Sequence, residues 1–296
     1  MTHLAAAFAP AKVNLFLHVG ETDAEGMHPL CSLMAFADVG DRLWIEPGQA
    51  PEPLRITGPF AEGLSASGDN LVVRAARAVL ASPGPAPRDF QIVLDKQLPI
   101  ASGLGGGSSD AGAALRLLRE AFRPALSDDE LAAMAASLGS DGAACLFGRP
   151  VIAERRGERL SIAPVLPTVF AVLANPGVPS PTGAVYRQFD QMVGGKDISR
   201  PSLPDAFESV EALVEVLAAL RNDLEAPAVA LNPLIGEALD QLGRGPGSLL
   251  TRVSGSGATC FAVCADRAAS EDLAARIGAA RPGWWVRSCR IGGPWA

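Results

Sequence analysis

The first long run of the chain, FAPAKVNLFLHVG at residues 8–20, alternates in polarity. Val13, Leu15, Leu17 and Val19 fall on one face and Lys12, Asn14, Phe16 and His18 on the other, which is the period of a β-strand. DRLWIEP (41–47), PLRIT (53–57) and DFQIVLDKQL (89–98) read as further strands, with a helix across DNLVVRAARAVL (69–80). Beyond residue 110 the period changes: Ala111, Ala114, Leu115, Leu118 and Phe122 recur at helical spacing. Ser127 and Glu130 then form a capping box that opens a helix to Leu138, stopped by Gly139.

The Pro-punctuated stretch IAPVLPT (162–168) marks a domain transition and leads into the strand VFAVLANPG. Residues 194–205, GGKDISRPSLPD, carry no periodicity and read as a polar loop. The pattern then predicts helices over 207–220 and 232–242, the second capped by Asn232 with Pro233 in its first turn. A strand over 258–264, a helix over 268–279 and a strand over 284–291 complete the chain. The expectation is an α+β protein of two domains, residues 1–163 and 164–296.

Composition narrows the function classes. The 296 residues are 48% hydrophobic and 19% charged, with a formal net charge of −7. An acidic balance argues against nucleic acid or an anionic membrane as partner. No signal-peptide pattern opens the chain and no apolar run has the length of a membrane span, so the expected location is the cytoplasm. The five cysteines, Cys31, Cys145, Cys260, Cys264 and Cys289, form no CxxC pair and sit in apolar runs, as small buried hydrophobes do. Lysine is scarce: Lys12, Lys96 and Lys196 are the whole set.

The chemistry concentrates at residues 99–115, PIASGLGGGSSDAGAAL. Gly103, Gly105, Gly106 and Gly107 permit positive φ and close approach to the backbone, and the helix behind them offers unpaired N–H groups. Ser108 and Ser109 add hydroxyl donors, and Asp110 is placed to cap the first turn. That combination makes an anion cradle suited to phosphate, the alternative being a plain glycine turn. It is not a Walker A loop, since residues 99–119 hold no lysine, and Ser108 occupies the third-glycine position of the dinucleotide fingerprint.

This stretch resembles the phosphate loop of the GHMP kinases. PAKVNLFLHV (10–19) is similar to their N-terminal motif and VSGSGATCFAV (253–263) to their third, glycine-rich motif. EGMHPL (25–30), LGSDGAACLFG (138–148) and RNDLE (221–225) resemble the branch that phosphorylates 4-diphosphocytidyl-2-C-methyl-D-erythritol. The resemblance implies a domain like ribosomal protein S5 domain 2 followed by a ferredoxin-like domain, with the active site between them. It implies ATP, Mg²⁺ and that cytidine-bearing alcohol as ligands, and a monomer or weak homodimer. Homoserine or mevalonate-type acceptors, and a silent ATP- or sugar-binding relative, are the alternatives.

Residue by residue, the resemblance makes Asp141 the catalytic base, although on local sequence it reads equally as a turn carboxylate in water. Lys12 pairs with it, and Gly103, Leu104, Gly105, Gly106, Gly107, Ser108 and Ser109 hold the ATP phosphates. Asn70 and Lys96 match positions near the nucleotide, and also suit a helix cap and a strand-end charge. Asn14, His28, Thr182, Gly255, Ser256 and Gly257 fall on the acceptor side. The family commonly has Tyr before that histidine; here Met27 stands there, leaving Phe16 and Tyr186, the sole tyrosine, as candidates to stack on the nucleobase. No protein ligand of the metal is named by the sequence.

Overall fold

A computed structural model describes residues 5–49, 52–85, 87–192 and 198–295. Part of the expected 194–205 loop, residues 194–197 with Lys196, lies outside that set; residues 198–205 carry no helix or strand. Among the described residues, ten strands join into one hydrogen-bonded sheet.

Its spine is β2 (Leu30–Pro47), which pairs along one edge with β1 (Ala6–Val19). The other edge of β2 serves three strands in turn: β5 (Val151–Arg155), β10 (Trp285–Gly292) and β4 (Phe90–Asp95). Short β3 (Leu54–Thr57) adds to β4, and β6 (Arg159–Ile162) to β5. Against β1 and the start of this sheet lie α1 (Leu71–Ala81), α2 (Gly106–Phe122), α3 (Asp128–Leu138) and α4 (Gly142–Phe147), their apolar faces closing one core around Leu43, Ile92, Val79 and Leu118.

The second half contributes β7 (Val169–Asn175), β8 (Ser248–Val253) and β9 (Cys260–Cys264). With β10 they run in the order β10-β7-β9-β8, every neighbour antiparallel. Numbered by appearance this is 4-1-3-2, the ferredoxin-like order. On one face Ile235 and Leu242 of α8 (Pro233–Gly243) and Leu273 and Ile277 of α9 (Arg267–Ala280) pack on Val172, Cys260 and Ala262. The opposite face, with Leu173, Phe261 and Val263, shares a core with Val13, Leu15 and Phe16 of β1 and Leu213 and Leu217 of α6 (Val210–Ala218). Pairing of Ile291 and Gly292 with Ala37 and Phe36 joins the halves, and the expected 163/164 division falls between β6 and β7.

Two expectations change. The alternation of β1 does not separate a buried from a solvated face, because residues 9–20 are buried throughout. Register shifts between Pro10 and Lys12 and between Asn14 and Phe16 break the phase, so Leu15 and Phe16 enter the same core while Leu17 and Val19 enter another. The strand read as 41–47 is only the end of β2; its beginning, LCSLMAF, is buried on both faces and shows no period two. The capping box of α3 forms as expected, Ser127 and Glu130 exchanging hydrogen bonds.

The turn between α3 and α4 carries Asp141 and requires glycine at residue 142. A Cβ there would stand 1.9 Å from the carbonyl oxygen of Ala135. We expect Gly142→Ala to cost about 2 kcal/mol or more through forced separation of α3 and α4. Gly139, where a Cβ meets nothing within 4 Å, is the control: Gly139→Ala should stay within about 0.5 kcal/mol of wild type. Chemical denaturation of both variants checks this, and equal midpoints would show that the close approach is not needed.

Candidate active site

The glycine loop is locked before it reaches its helix. The backbone N–H of Lys12 donates to Leu104 O at 2.8 Å, Ser254 Oγ donates to Gly103 O at 3.0 Å, and Thr259 N donates to Ser102 O at 3.0 Å. Gly103, at φ +78°, allows the contact: a Cβ would lie 2.2 Å from Ser254 O. Gly105, at φ +62°, is the N-cap of α2 and has no side-chain cap bond. Asp110 therefore does not cap this helix. It is the fifth helical residue, buried, and its Oδ2 accepts from Lys96 Nζ at 2.6 Å.

Gly103, Gly105, Gly106, Gly107 and Ser108 line a cleft of about 500 Å³. The first backbone N–H groups of α2 have no intrahelical partner and carry the positive end of its dipole. Leu104 is fully buried and contributes backbone only. Ser109 is buried as well, its hydroxyl off the cleft and without a partner.

Across from the loop, Lys12 Nζ donates to Asp141 Oδ2 at 2.8 Å. The lysine side chain is 6% exposed and the aspartate 27%, and both line the cleft. Asp141 begins α4 without a hydrogen bond from its side chain to the helix, so its carboxylate is available to Lys12. The stem of Lys12 runs past Gly105, where a Cβ would come within 3.2 Å of it. Asn14 follows on β1; its amide nitrogen donates to Ser32 Oγ at 2.8 Å while Oδ1 is buried without a donor. An orphaned acceptor on the wall of a cleft fits a hydroxyl or amine of a bound ligand.

Gly255 and Ser256 line the same space, and Thr182, the first residue of α5 (Thr182–Met192), lies 3.0 Å through its hydroxyl from Ser256 Oγ. Gly257 does not line the cleft; it packs on Gly103 instead. Asn70 lines it and also caps α1, accepting from Val72 N at 2.9 Å. Lys96 lines it too, but its ammonium is spent on Asp41 and Asp110, each at 2.6 Å.

His28 stands behind the wall. Its Nδ1 is 2.9 Å from Gly20 O, its Nε2 3.2 Å from Thr22 Oγ1 and 3.3 Å from Asp190 Oδ1. Its ring packs 5.0 Å from that of Tyr186, which does line the cleft. Phe16, the other stacking candidate, is completely buried in the core and does not reach it. Met27 is half exposed beside the cleft-lining set rather than in it. Burial pushes the Tyr186 hydroxyl up to about 12, so it is a neutral phenol at physiological pH.

Sequence reading missed Asp41 and the true partnership of Asp110, because their meeting with Lys96 joins residues 41, 96 and 110 from three elements. The one available signal was an internal lysine in a chain that has only three.

Comparison with known proteins places the chain in a family. The GHMP kinases N terminal domain matches residues 70–149, and the GHMP kinases C terminal domain matches residues 203–282. A Caulobacter vibrioides protein named 4-diphosphocytidyl-2-C-methyl-D-erythritol kinase is 60% identical over 96% of this chain and 98% of its own. One of the same name from Hyphomonas neptunium is 45% identical over 96% of each. Among solved structures, a 4-(cytidine 5'-diphospho)-2C-methyl-D-erythritol kinase superposes with TM-score 0.78 at 35% identity, covering 98% of this chain and 100% of that one. A homoserine kinase from Cytophaga hutchinsonii, 17% identical over 97% of this chain and 94% of its own, shares the fold at TM-score 0.65. With both domains matched in order and relatives alike over nearly their whole length, the chain belongs to the GHMP kinase family.

Proposed function

We propose that this chain is an ATP-dependent kinase that transfers the γ-phosphoryl group of ATP to the 2-hydroxyl of 4-diphosphocytidyl-2-C-methyl-D-erythritol, a step of isoprenoid precursor synthesis by the non-mevalonate route. The observation that carries the reading is the Lys12–Asp141 pair facing the glycine loop across one cleft. Near full-length likeness to relatives named for this substrate favours the cytidyl alcohol over homoserine or mevalonate.

The chemistry follows from the arrangement. The triphosphate rests on the free N–H groups of α2, and the acceptor hydroxyl lies against Asp141. As the hydroxyl oxygen bonds to the γ-phosphorus, the bond from that phosphorus to the β,γ-bridging oxygen breaks and ADP leaves. Asp141 takes the hydroxyl proton. Lys12 holds the carboxylate in place and sets positive charge beside the nucleophile and the transferring group. A magnesium ion would be held there mainly by phosphate and water oxygens. When bound, that ion offsets the phosphate charge.

On the acceptor side, Asn14 Oδ1 and the Thr182–Ser256 hydroxyl pair offer polar contacts. Tyr186, braced by His28, offers the aromatic surface on which a cytosine stacks, so Met27 need not. No described helix is long and apolar enough to cross a membrane. Such an enzyme works in the cytoplasm on two diffusible substrates, as a monomer or weak homodimer.

Asp141→Asn and Lys12→Met should each lower kcat by about 10²–10⁴-fold while calorimetric Mg-ATP binding persists. Near-wild-type turnover by Asp141→Asn would remove the base assignment. ADP release from Mg-ATP, measured with the cytidyl alcohol, homoserine and mevalonate side by side, should occur with the first alone. Release with another acceptor would keep the kinase and change the substrate; silence with all three would leave a nucleotide-binding relative. Tyr186→Ala should raise KM for the cytidyl acceptor by about tenfold or more, since base stacking is worth roughly 1–3 kcal/mol, and leave KM for ATP unchanged. Equal increases in both would show that the ring supports the fold instead.

A further inference from the structure

Beneath the first turn of α2 two carboxylates meet one ammonium. Lys96 Nζ donates to Asp41 Oδ2 and to Asp110 Oδ2, both at 2.6 Å, and all three side chains are at most 4% exposed. Fully ionised, the group carries a net charge of −1. Its two acids are not equivalent. Asp41 also accepts the backbone N–H groups of Gln97 and Leu98, at 2.6 and 2.8 Å, so its oxygens serve three donors. Asp110 serves only Lys96; its Oδ1 is buried and receives no donor. The two carboxyls are near enough to hydrogen-bond when one of them carries a proton.

This group adjoins the anion cradle. Asp110 and Lys96 both line the cleft, and a Cβ on Gly106, the first residue of α2, would lie 3.0 Å from Lys96 Nζ. A site that must take the charge of a triphosphate thus has an uncompensated negative charge directly below it.

We propose that Asp110 is a proton-linked positioning residue of the phosphate cradle: nucleotide binding requires its carboxyl to be protonated, held between Lys96 and Asp41. The inference rests on the ATP reading above and deepens it. The proton sits on Asp110 Oδ1, the oxygen that receives no donor, which leaves Oδ2 to accept from Lys96. In that state the group is neutral, no polar atom of Asp110 is orphaned, and the loop above meets no opposing charge.

The surroundings leave Asp110 as the group that titrates. From β2 it faces Asp41, from the segment after β4 it faces Lys96, and from α4 it faces Cys145, whose thiol burial pushes up to about 12 and keeps neutral. Lys12 on β1 and Asp141 before α4 lie beyond, engaged with each other. The face of α1 toward α2 presents Val72, Ala75 and Val79, none of which titrates. Burial pushes the Asp110 carboxyl up to about 8, against the pull of Lys96, while the two carboxylates hold Lys96 above the usual lysine value.

The sign of the linkage follows. Added phosphate charge raises the Asp110 value further in the bound state. Well below the Asp110 value of about 8 the free protein already holds the proton, and affinity does not vary through this group. Above pH 8 binding must recover the proton, and affinity falls, by at most about tenfold per pH unit.

The experiment is titration calorimetry of the intact protein with Mg-ATP, without acceptor, at pH 7.0 and 9.5 in buffers of unlike ionisation enthalpy. Wild type should take up a proton on binding at pH 9.5 but not at 7.0. Asp110→Asn, whose amide reproduces the protonated acid by accepting from Lys96 and donating to Asp41, should take up none. It should bind about 30-fold more tightly than wild type at pH 9.5, the loss expected 1.5 pH units above an Asp110 value of about 8. Buffer-independent heats for wild type at pH 9.5, or the same pH response in Asp110→Asn, overturn the proposal and leave the kinase reading intact. Absence of any Mg-ATP binding at pH 7.0 overturns the kinase reading, and the proposal with it. Should Asp110→Asn not fold, the wild-type buffer dependence still decides.

Discussion

The architecture depends on one crowded contact, where the glycine loop passes against the turn at residues 254–257. Gly103 and Ser254 approach so closely that no side chain fits between them. From that point hydrogen bonds run to the loop from β1, through Lys12 N, and from the second half of the chain, through Ser254 Oγ and Thr259 N. Loops rich in glycine are ordinarily the mobile parts of a protein, because each glycine loses the most entropy on ordering. Here three tethers from residues far apart in sequence hold the loop. A cradle whose backbone is tied to the rest of the fold has less conformational freedom to lose on binding phosphate.

The same tethering decides where the catalytic pair sits. Lys12 is bound through its backbone to the loop and through its ammonium to Asp141, so one residue measures the distance between phosphate and base. The bulges on either side of Lys12 and Asn14 let β1 bury apolar side chains on both faces while turning two polar ones toward the cleft. A regular strand would have had to send Phe16 to the same side as Lys12 and Asn14. Removing one partner of this part-buried pair leaves the other charge without its ion pair, which costs stability as well as rate. Variants here are therefore best judged by binding and stability together with rate.

Local signals were legible where a segment answers to its own neighbours. The capping box of α3, the Asn232 cap with Pro233 of α8, and the amphipathic turns of α2 and α9 all depend on residues within one or two helical turns. The phosphate cradle was legible for the same reason, being a continuous run. Illegible were α4 and α7 (Glu225–Leu231), too short for a period to register and, in α7, interrupted by Pro227. The first half of β2 was hidden by burial on both faces, and β8 by its mixed exposure. At the site, Asp141 and Lys12 were named only through resemblance, since 129 residues separate them and nothing local predicts their pairing.

Asp110 shows why such a distinction matters for function. By sequence it is a residue near a helix start, where acids favour the dipole and cap free N–H groups. Gly105 already begins the helix in a left-handed conformation, so no side-chain cap is needed, and the aspartate is turned inward on Lys96. A cationic lysine under a phosphate loop would on its own attract the ligand. Two carboxylates take that charge away, and only protonation of one returns the balance to neutral. The chain thus spends one of its few lysines on ordering the floor of the cradle, while attraction for the phosphates is left to the backbone of α2. Holding a ligand by oriented N–H dipoles with little net charge favours geometry over charge, and a phosphoryl transfer that needs its atoms in line is served by that.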